Sequence, residues 1–327
     1  MLEVKKMAKQ QPLFEIPSSQ GTRIKVEKSA KASSLIYKHE NGMLFQGDSI
    51  QWLKSLDSET ADMIFADPPY NIKKADWDKF ESQEEYIRWS MQWIREASRV
   101  LKKTGTLYIC GFTEILADLK HPSMKYFKGC KWLVWHYKNK ANLGKDWGRS
   151  HESILHLRKN RKFTFNIDDV RIPYGRHTLK YPSHPQAVTS QYGNKGKRKD
   201  VWTPHPKGAK AKDVIEIPTT CNGMGEKTPH PTQKPEELLR KLVLASSNEG
   251  DVVLDPFSGS GTTVLVAEQL GRKWLGCELN PEYNEWAMHR IENVARKSKA
   301  EWIELDKRNE ERRNSIRSLH LKLDAIP

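Results

Sequence analysis

The chain has 327 residues, and its 55 Lys and Arg outnumber 41 Asp and Glu for a net charge of +14, which favours a polyanionic partner such as nucleic acid or an acidic membrane surface. No apolar run approaches the ~18 residues that span a bilayer, MLEVKKMAKQQ lacks the apolar centre of a signal peptide, and the four cysteines form no Cys-x-x-Cys pair. These features exclude a membrane span and a disulfide framework and predict a soluble, cytoplasmic protein with reduced thiols and one α/β core carrying an insert.

Residues 1–40 are polar, lysine-rich and aperiodic, and read as an extension with one short strand. From Met43 short apolar runs alternate with helical stretches. MLFQGD, ADMIFAD, GTLYICG, KWLVWHYK and SILHLRK read as strands, and an amphipathic helix is predicted from about Gln83 to Lys102. Periodicity vanishes over 171–227, a stretch rich in Pro, Gly, His, Lys and Arg that is too long for a plain loop. Order returns with a helix opened by Pro235, Glu236 and Glu237, then strand VVLD, a glycine turn, helix TTVLVAEQL, strand KWLGCEL and a helix from about Pro281. Residues 297–327 read as a charged helical tail. The predicted organisation is an extension (1–40), two halves of one core (41–170 and 228–296), an insert (171–227) and the tail. Strands alternating with helices predict a doubly wound, mostly parallel sheet.

In VVLDPFSGSGTTV a buried strand delivers Asp255 to its carboxyl end, and Gly259 and Gly261 let the backbone turn tightly against a ligand. Glu278 ends the next strand 17 residues beyond Gly261, close to the ~20-residue spacing at which an acid holds ribose hydroxyls. A nucleoside cofactor is therefore expected. NAD and FAD are disfavoured because Val264 stands where their motif places a third glycine.

Asp67-Pro68-Pro69-Tyr70 ends another strand and so faces the same sheet edge. Two prolines fix the backbone and leave the carbonyls of Asp67 and Pro68 as acceptors for an amino group, and Tyr70 adds a flat face for stacking. An amino group on a planar ring describes adenine or cytosine.

GDSIQWL (47–53), DPPYNI (67–72) followed by ADWDKF, HPTQKP (230–235) and DPFSGSGTT (255–263) together resemble the β group of amino-DNA methyltransferases over about residues 43–295. The resemblance implies a seven-stranded methyltransferase sheet of Rossmann-like topology with an inserted target recognition region, and S-adenosylmethionine as cofactor. It implies that Asp67, Pro68, Pro69 and Tyr70 are catalytic. Asp255, Phe257, Gly259, Gly261 and Thr262 would surround the methionine and sugar, with Glu278 on the ribose, Asp48 at the adenine end, and His230, Thr232 and Lys234 closing over the methionyl carboxylate, all beside Asp67. Asp rather than Ser at position 67 implies transfer to adenine N6, with cytosine N4 as the alternative. Double-stranded DNA is the implied partner. A homodimer and a companion restriction endonuclease are associations that many members have.

The exocyclic nitrogen is a poor nucleophile, so the expected mechanism has Asp67 and the Pro68 carbonyl accept its hydrogens while the base lies extruded from the duplex. Between residues 176 and 212 nine Lys or Arg face one acid, Asp200, and Arg176, Lys180, Lys195, Lys197, Arg198 and Lys199 are the candidate DNA contacts, with His184, Asn194 and Trp202 near bases. His151 and His156 are spaced five apart, off one helical face, so no metal site is expected. The rival readings are a silent nucleic-acid-binding module and methylation of RNA or of a protein glutamine. KADWDKF and FNIDDVRIPY resemble members that act on sites beginning GAA.

Overall fold

The computed structural model describes residues 33–71, 80–140, 145–185 and 201–323. Its elements in chain order are β1 (Ser33–Lys38), β2 (Gly42–Gly47), α1 (Ser49–Ser55), β3 (Ala61–Ala66), α2 (Gln83–Val100), β4 (Leu101–Gly111), α3 (Thr113–Ser123), β5 (Gly129–His136) and β6 (His151–Arg158). There follow α4 (Arg176–Lys180), β7 (His184–Pro185), β8 (Val201–Trp202), β9 (Val214–Glu216), α5 (Glu236–Ser246), β10 (Val252–Asp255), α6 (Thr262–Gln269), β11 (Lys273–Glu278), α7 (Pro281–Glu292) and α8 (Lys299–Leu323). The chain divides into two compact units, 1–165 with 213–296 and 166–212 with 297–327.

The first unit is built on a nine-stranded sheet of order β1-β2-β11-β10-β3-β4-β6-β5-β9. Strands β2, β11, β10, β3 and β4 are mutually parallel. Val252, Val253 and Leu254 of β10 are wholly buried, as expected of a strand covered on both faces. Strand β6 runs antiparallel between β4 and β5. The expected seven-stranded arrangement is present from β2 to β5, and each edge carries one more strand. At one edge β1 pairs antiparallel with β2, so residues 33–38 of the expected extension belong to the sheet. At the other β9 pairs parallel with β5, which draws residues 213–227, read in the sequence as insert, into the core unit.

Local chemistry sets the helix boundaries. The Ser82 hydroxyl accepts from Glu85 N at 3.2 Å while the Glu85 carboxylate accepts from Glu81 N at 2.8 Å, a reciprocal cap that starts α2. Tyr86, Trp93, Ile94, Ala97 and Val100 then bury one face of that helix in the main apolar cluster. Pro235 stands at the N-cap of α5, one residue ahead of the first turn in which the sequence places it. Among the described residues no helix is long and apolar enough to cross a membrane.

The second unit holds α4, the two-stranded β7–β8 pair and α8. The Asp168 carboxylate accepts from Arg171 at 2.8 Å and from Lys207 at 3.2 Å, and Lys299 at the start of α8 reaches Asp169 at 2.5 Å. These contacts unite the insert with a tail that the sequence reading keeps separate. Leu179 and Tyr181 are exposed, and Trp302 of α8 is buried.

Strand β11 fits β2 at one tight point. Trp274 lies opposite Gly42, and its indole fills the space a side chain at Gly42 would need, 2.0 Å from where a Cβ would stand. Its Nε1 donates to Glu268 at 2.8 Å. Gly42→Ala drives a methyl into the ring and is expected to cost about 1–3 kcal/mol, read as a lower urea midpoint at unchanged slope.

Candidate active site

Four neighbouring parallel strands end at one edge of the sheet. Asp48 follows β2, Glu278 closes β11, Asp255 closes β10 and Asp67 follows β3. Ligands bind at the carboxyl ends of strands in such sheets, and a cavity of about 580 Å³ opens there, lined by all four acids. Phe80, Trp89, Phe257 and Tyr283 supply aromatic walls, and Trp89 meets Phe257 at 5.9 Å between ring centroids.

The floor is the turn from β10 into α6. Asp255 Oδ1 accepts from Phe257 N at 3.0 Å, and Gly259 N donates to Glu278 Oε2 at 2.8 Å, tying the turn to the end of β11. Gly261 caps α6 at φ +77°, and a Cβ there would stand 2.6 Å from the Cβ of Ala287 on α7, so both conformation and space demand glycine. Burial pushes the Asp255 carboxyl up to about 7, while hydrogen bonds from Thr263 and Phe257 N pull the other way. The Ser258 hydroxyl also lines the cavity, buried and without a partner among the described residues. Beside the turn, His230 packs edge-on against Tyr283 at 4.4 Å, and burial with neighbouring cations lowers it to about 3, so it is a neutral imidazole.

The other wall is the corner Asp67–Tyr70, where a buried charge cluster gathers three elements. Lys234 Nζ donates to Asp67 Oδ2 at 2.5 Å and lies 3.5 Å from Glu152 Oε2 on β6. Tyr70 donates its hydroxyl to Asp67 Oδ1 at 2.5 Å and is 3.3 Å from Glu152. Burial alone would strip the proton from Lys234, but Asp67 and Glu152 outweigh it and hold the ammonium charged. Burial raises Asp67 despite Lys234. Burial pushes Glu152 up, but Lys234 and Lys140 together with hydrogen bonds from Cys110 and Tyr70 hold it below the usual carboxylate range.

A family model described as DNA methylase matches residues 61–289. The chain belongs to that family. The methylase is 36% identical over 276 residues to the DNA adenine methyltransferase YhdJ of Escherichia coli K12, covering 83% of this chain and 90% of that one. It is 34% identical over 257 residues to the type II methyltransferase M1.MboII of Moraxella bovis, covering 75% and 94%. Among solved structures, PvuII DNA methyltransferase (cytosine-N4-specific) superposes with a TM-score of 0.60 at 18% identity, over 85% of this chain and 95% of that one, which is a likeness of fold.

In the methylase Asp48, Asp67, Pro69, His230, Thr232, Lys234, Asp255, Phe257, Gly259, Thr262 and Glu278 line one cavity. Gly261 packs against Ala287, away from the cavity. Pro68 and Tyr70 do not line the cavity: Pro68 is buried, and Tyr70 is held by Asp67, Glu152 and Phe112. Lys234 lines the cavity with its ammonium on Asp67. Glu152 lies between His151 and His156, the pair set aside as a metal site, yet it joins the charge cluster, while His156 stacks on Tyr108 at 4.7 Å. An acid in an apolar strand is the signal that points to Glu152. Trp89, Tyr283 and Ser258 carry no such signal. Of the candidate DNA contacts, Arg176 and Lys180 are exposed on α4. Lys195, Lys197, Arg198 and Lys199, with Asn194, lie outside the described residues, as does most of KADWDKF.

Removing Lys234 strands two buried carboxylates. Lys234→Met is expected to cost about 3–5 kcal/mol in urea unfolding, and adding Glu152→Gln to recover part of that loss.

Proposed function

We propose that this DNA methylase moves a methyl group from S-adenosylmethionine to the N6 amino group of an adenine extruded from double-stranded DNA. One observation carries the reading: the Asp67 corner opens into the same cavity as the Asp255–Thr262 turn and Glu278. Asp at position 67 and the adenine specificity in the name of YhdJ support adenine over cytosine.

The residues fit the cofactor. Glu278 accepts from Gly259 N at 2.8 Å and from Asn280 N at 2.9 Å, which fixes the orientation of its carboxylate for ribose hydroxyls. Asp255 and Ser258 offer an anion and a hydroxyl to the methionine end, and the aromatic walls suit a purine. When bound, S-adenosylmethionine supplies a methyl group already activated on a sulfonium sulfur.

The protein's own part is positioning and charge. Asp67 and the Pro68 carbonyl accept the two hydrogens of the amino group, so the nitrogen lone pair is withdrawn from the ring and aimed along the line of displacement. Asp67, raised by burial, then takes the proton that the nitrogen sheds as its new N–C bond forms. Tyr70, kept a neutral phenol by burial and by the Asp67 charge, braces the Asp67 carboxylate and offers its ring to the extruded base. Lys234 balances the charge of Asp67 and Glu152 while the site waits. The insert, with Arg176 and Lys180, holds the phosphates, and the candidate contacts between 195 and 199 join it there. A cytoplasmic setting, a homodimer and a companion restriction endonuclease complete the proposal on the strength of the family resemblance.

Asp67→Ala is expected to cut transfer of labelled methyl to DNA by at least about 10²-fold while a filter-binding assay still detects the DNA complex; retained turnover would remove the assignment. A cationic ligand prefers Asp255 ionised. Because the carboxyl is pushed up to about 7, affinity for S-adenosylmethionine by titration calorimetry is expected to climb as pH rises from about 5 to 7 and level off above, and Asp255→Asn to flatten that rise.

A further inference from the structure

Strand β6 is antiparallel to β4, and β5 is antiparallel to β6, so the chain joining β5 to β6 emerges at the edge where Asp67 stands. Its closing segment, residues 145–150, leads directly into His151 and Glu152. Two contacts fix that segment to the wall of the catalytic corner. The Arg149 guanidinium lies 3.8 Å over the ring of Phe112, and Phe112 in turn meets Tyr70 edge-on at 4.9 Å. His151, the first residue of β6, is 3.1 Å from the Thr113 hydroxyl.

Between these anchors and Lys145 stands Trp147, 97% exposed and the most exposed of the large hydrophobic residues described. Its backbone N–H donates to the Asp146 carboxylate at 2.7 Å, which orders the turn without giving the indole a partner. A fully solvated tryptophan costs the folded chain the burial its ring would otherwise gain. Here it is presented from a segment that also carries Lys145, Asp146 and Arg149, the last of these 3.6 Å from Glu114, at the sheet edge where Asp67 stands.

We infer that Trp147 enters the DNA duplex next to the extruded adenine and stacks in the gap that the base leaves. The inference rests on the proposed function and goes beyond it by assigning the group that holds the duplex open. The net charge of +14 on the chain fits phosphates, and the indole fits the faces of unstacked bases, so double-stranded nucleic acid is the partner that matches both. Arg149 links the segment to the Phe112–Tyr70 pair, so the wedge and the base-receiving ring share one rigid wall. Trp147 acts before chemistry, on the equilibrium between stacked and extruded base.

The test uses the full chain and a duplex oligonucleotide bearing the site read from the methylated genome of an expressing host. Trp147→Ala is expected to lower kcat/KM about tenfold on the fully paired duplex, a loss matching one stacking contact, and by less than about threefold when an abasic residue faces the target adenine and extrusion is already easier. Trp147→Phe is expected to restore most of the rate on the paired duplex. Fluorescence of 2-aminopurine at the target position is expected to rise less with Trp147→Ala than with the wild type. Wild-type rates for Trp147→Ala on the paired duplex, or equal losses on both duplexes, would overturn the inference and leave the ring to some other partner. A host genome with no methylated site would instead remove the methylase reading, and this one with it.

Discussion

Parallel pairing of β2, β11, β10 and β3 is the constraint on which the molecule depends. Each of these strands ends in or next to an acid, and the pairing places Asp48, Glu278, Asp255 and Asp67 along one edge in that order. A one-residue slip in any strand would exchange the side chains packed on its two faces and withdraw its carboxylate from the cavity, so packing and site geometry are enforced by the same register. The tight fit of Trp274 over Gly42 is one place where that register is held sterically.

Gathering acids at a buried edge has an electrostatic cost, and the protein meets it unevenly. Glu278 and Asp255 both accept backbone N–H groups, yet burial dominates at each and raises both carboxyls. Asp67 and Glu152 are balanced by Lys234, carried in from the segment preceding α5. A buried ion pair of this sort is weak evidence for stability, because desolvation offsets much of the attraction. What it sets is the resting state of Asp67, both of whose oxygens are engaged, one by Tyr70 and one by Lys234.

Chemistry and charge are divided between two units. The core unit contains the strand edge, the cavity and the ion cluster, and the second unit combines residues 166–212 with 297–327, stretches distant in sequence and joined by the Lys299–Asp169 pair. The cavity-lining acids therefore belong to the sheet, and the exposed Arg176 and Lys180 to the second unit.

Much of the core could be read from the chain itself, because strand and helix periods and the glycine turn are local patterns with local causes. DPPY at the end of an apolar run, DPFSGSGTT before a helix and Glu278 after the next strand each announce a strand-end site within a few residues. What sequence could not supply was any relation set by packing between distant segments. Residues 33–38 look like the tail of a polar extension until β2 offers them backbone partners, and residues 213–227 look like insert until β5 does. Glu152 gives no local sign of its role because Lys234 and Tyr70, its partners, lie 82 residues away in either direction. Local chemistry determined which strand ends carry function. Only the folded sheet decided that Lys234 would face Asp67, because ion pairing in a low-dielectric interior is settled by where side chains meet in space.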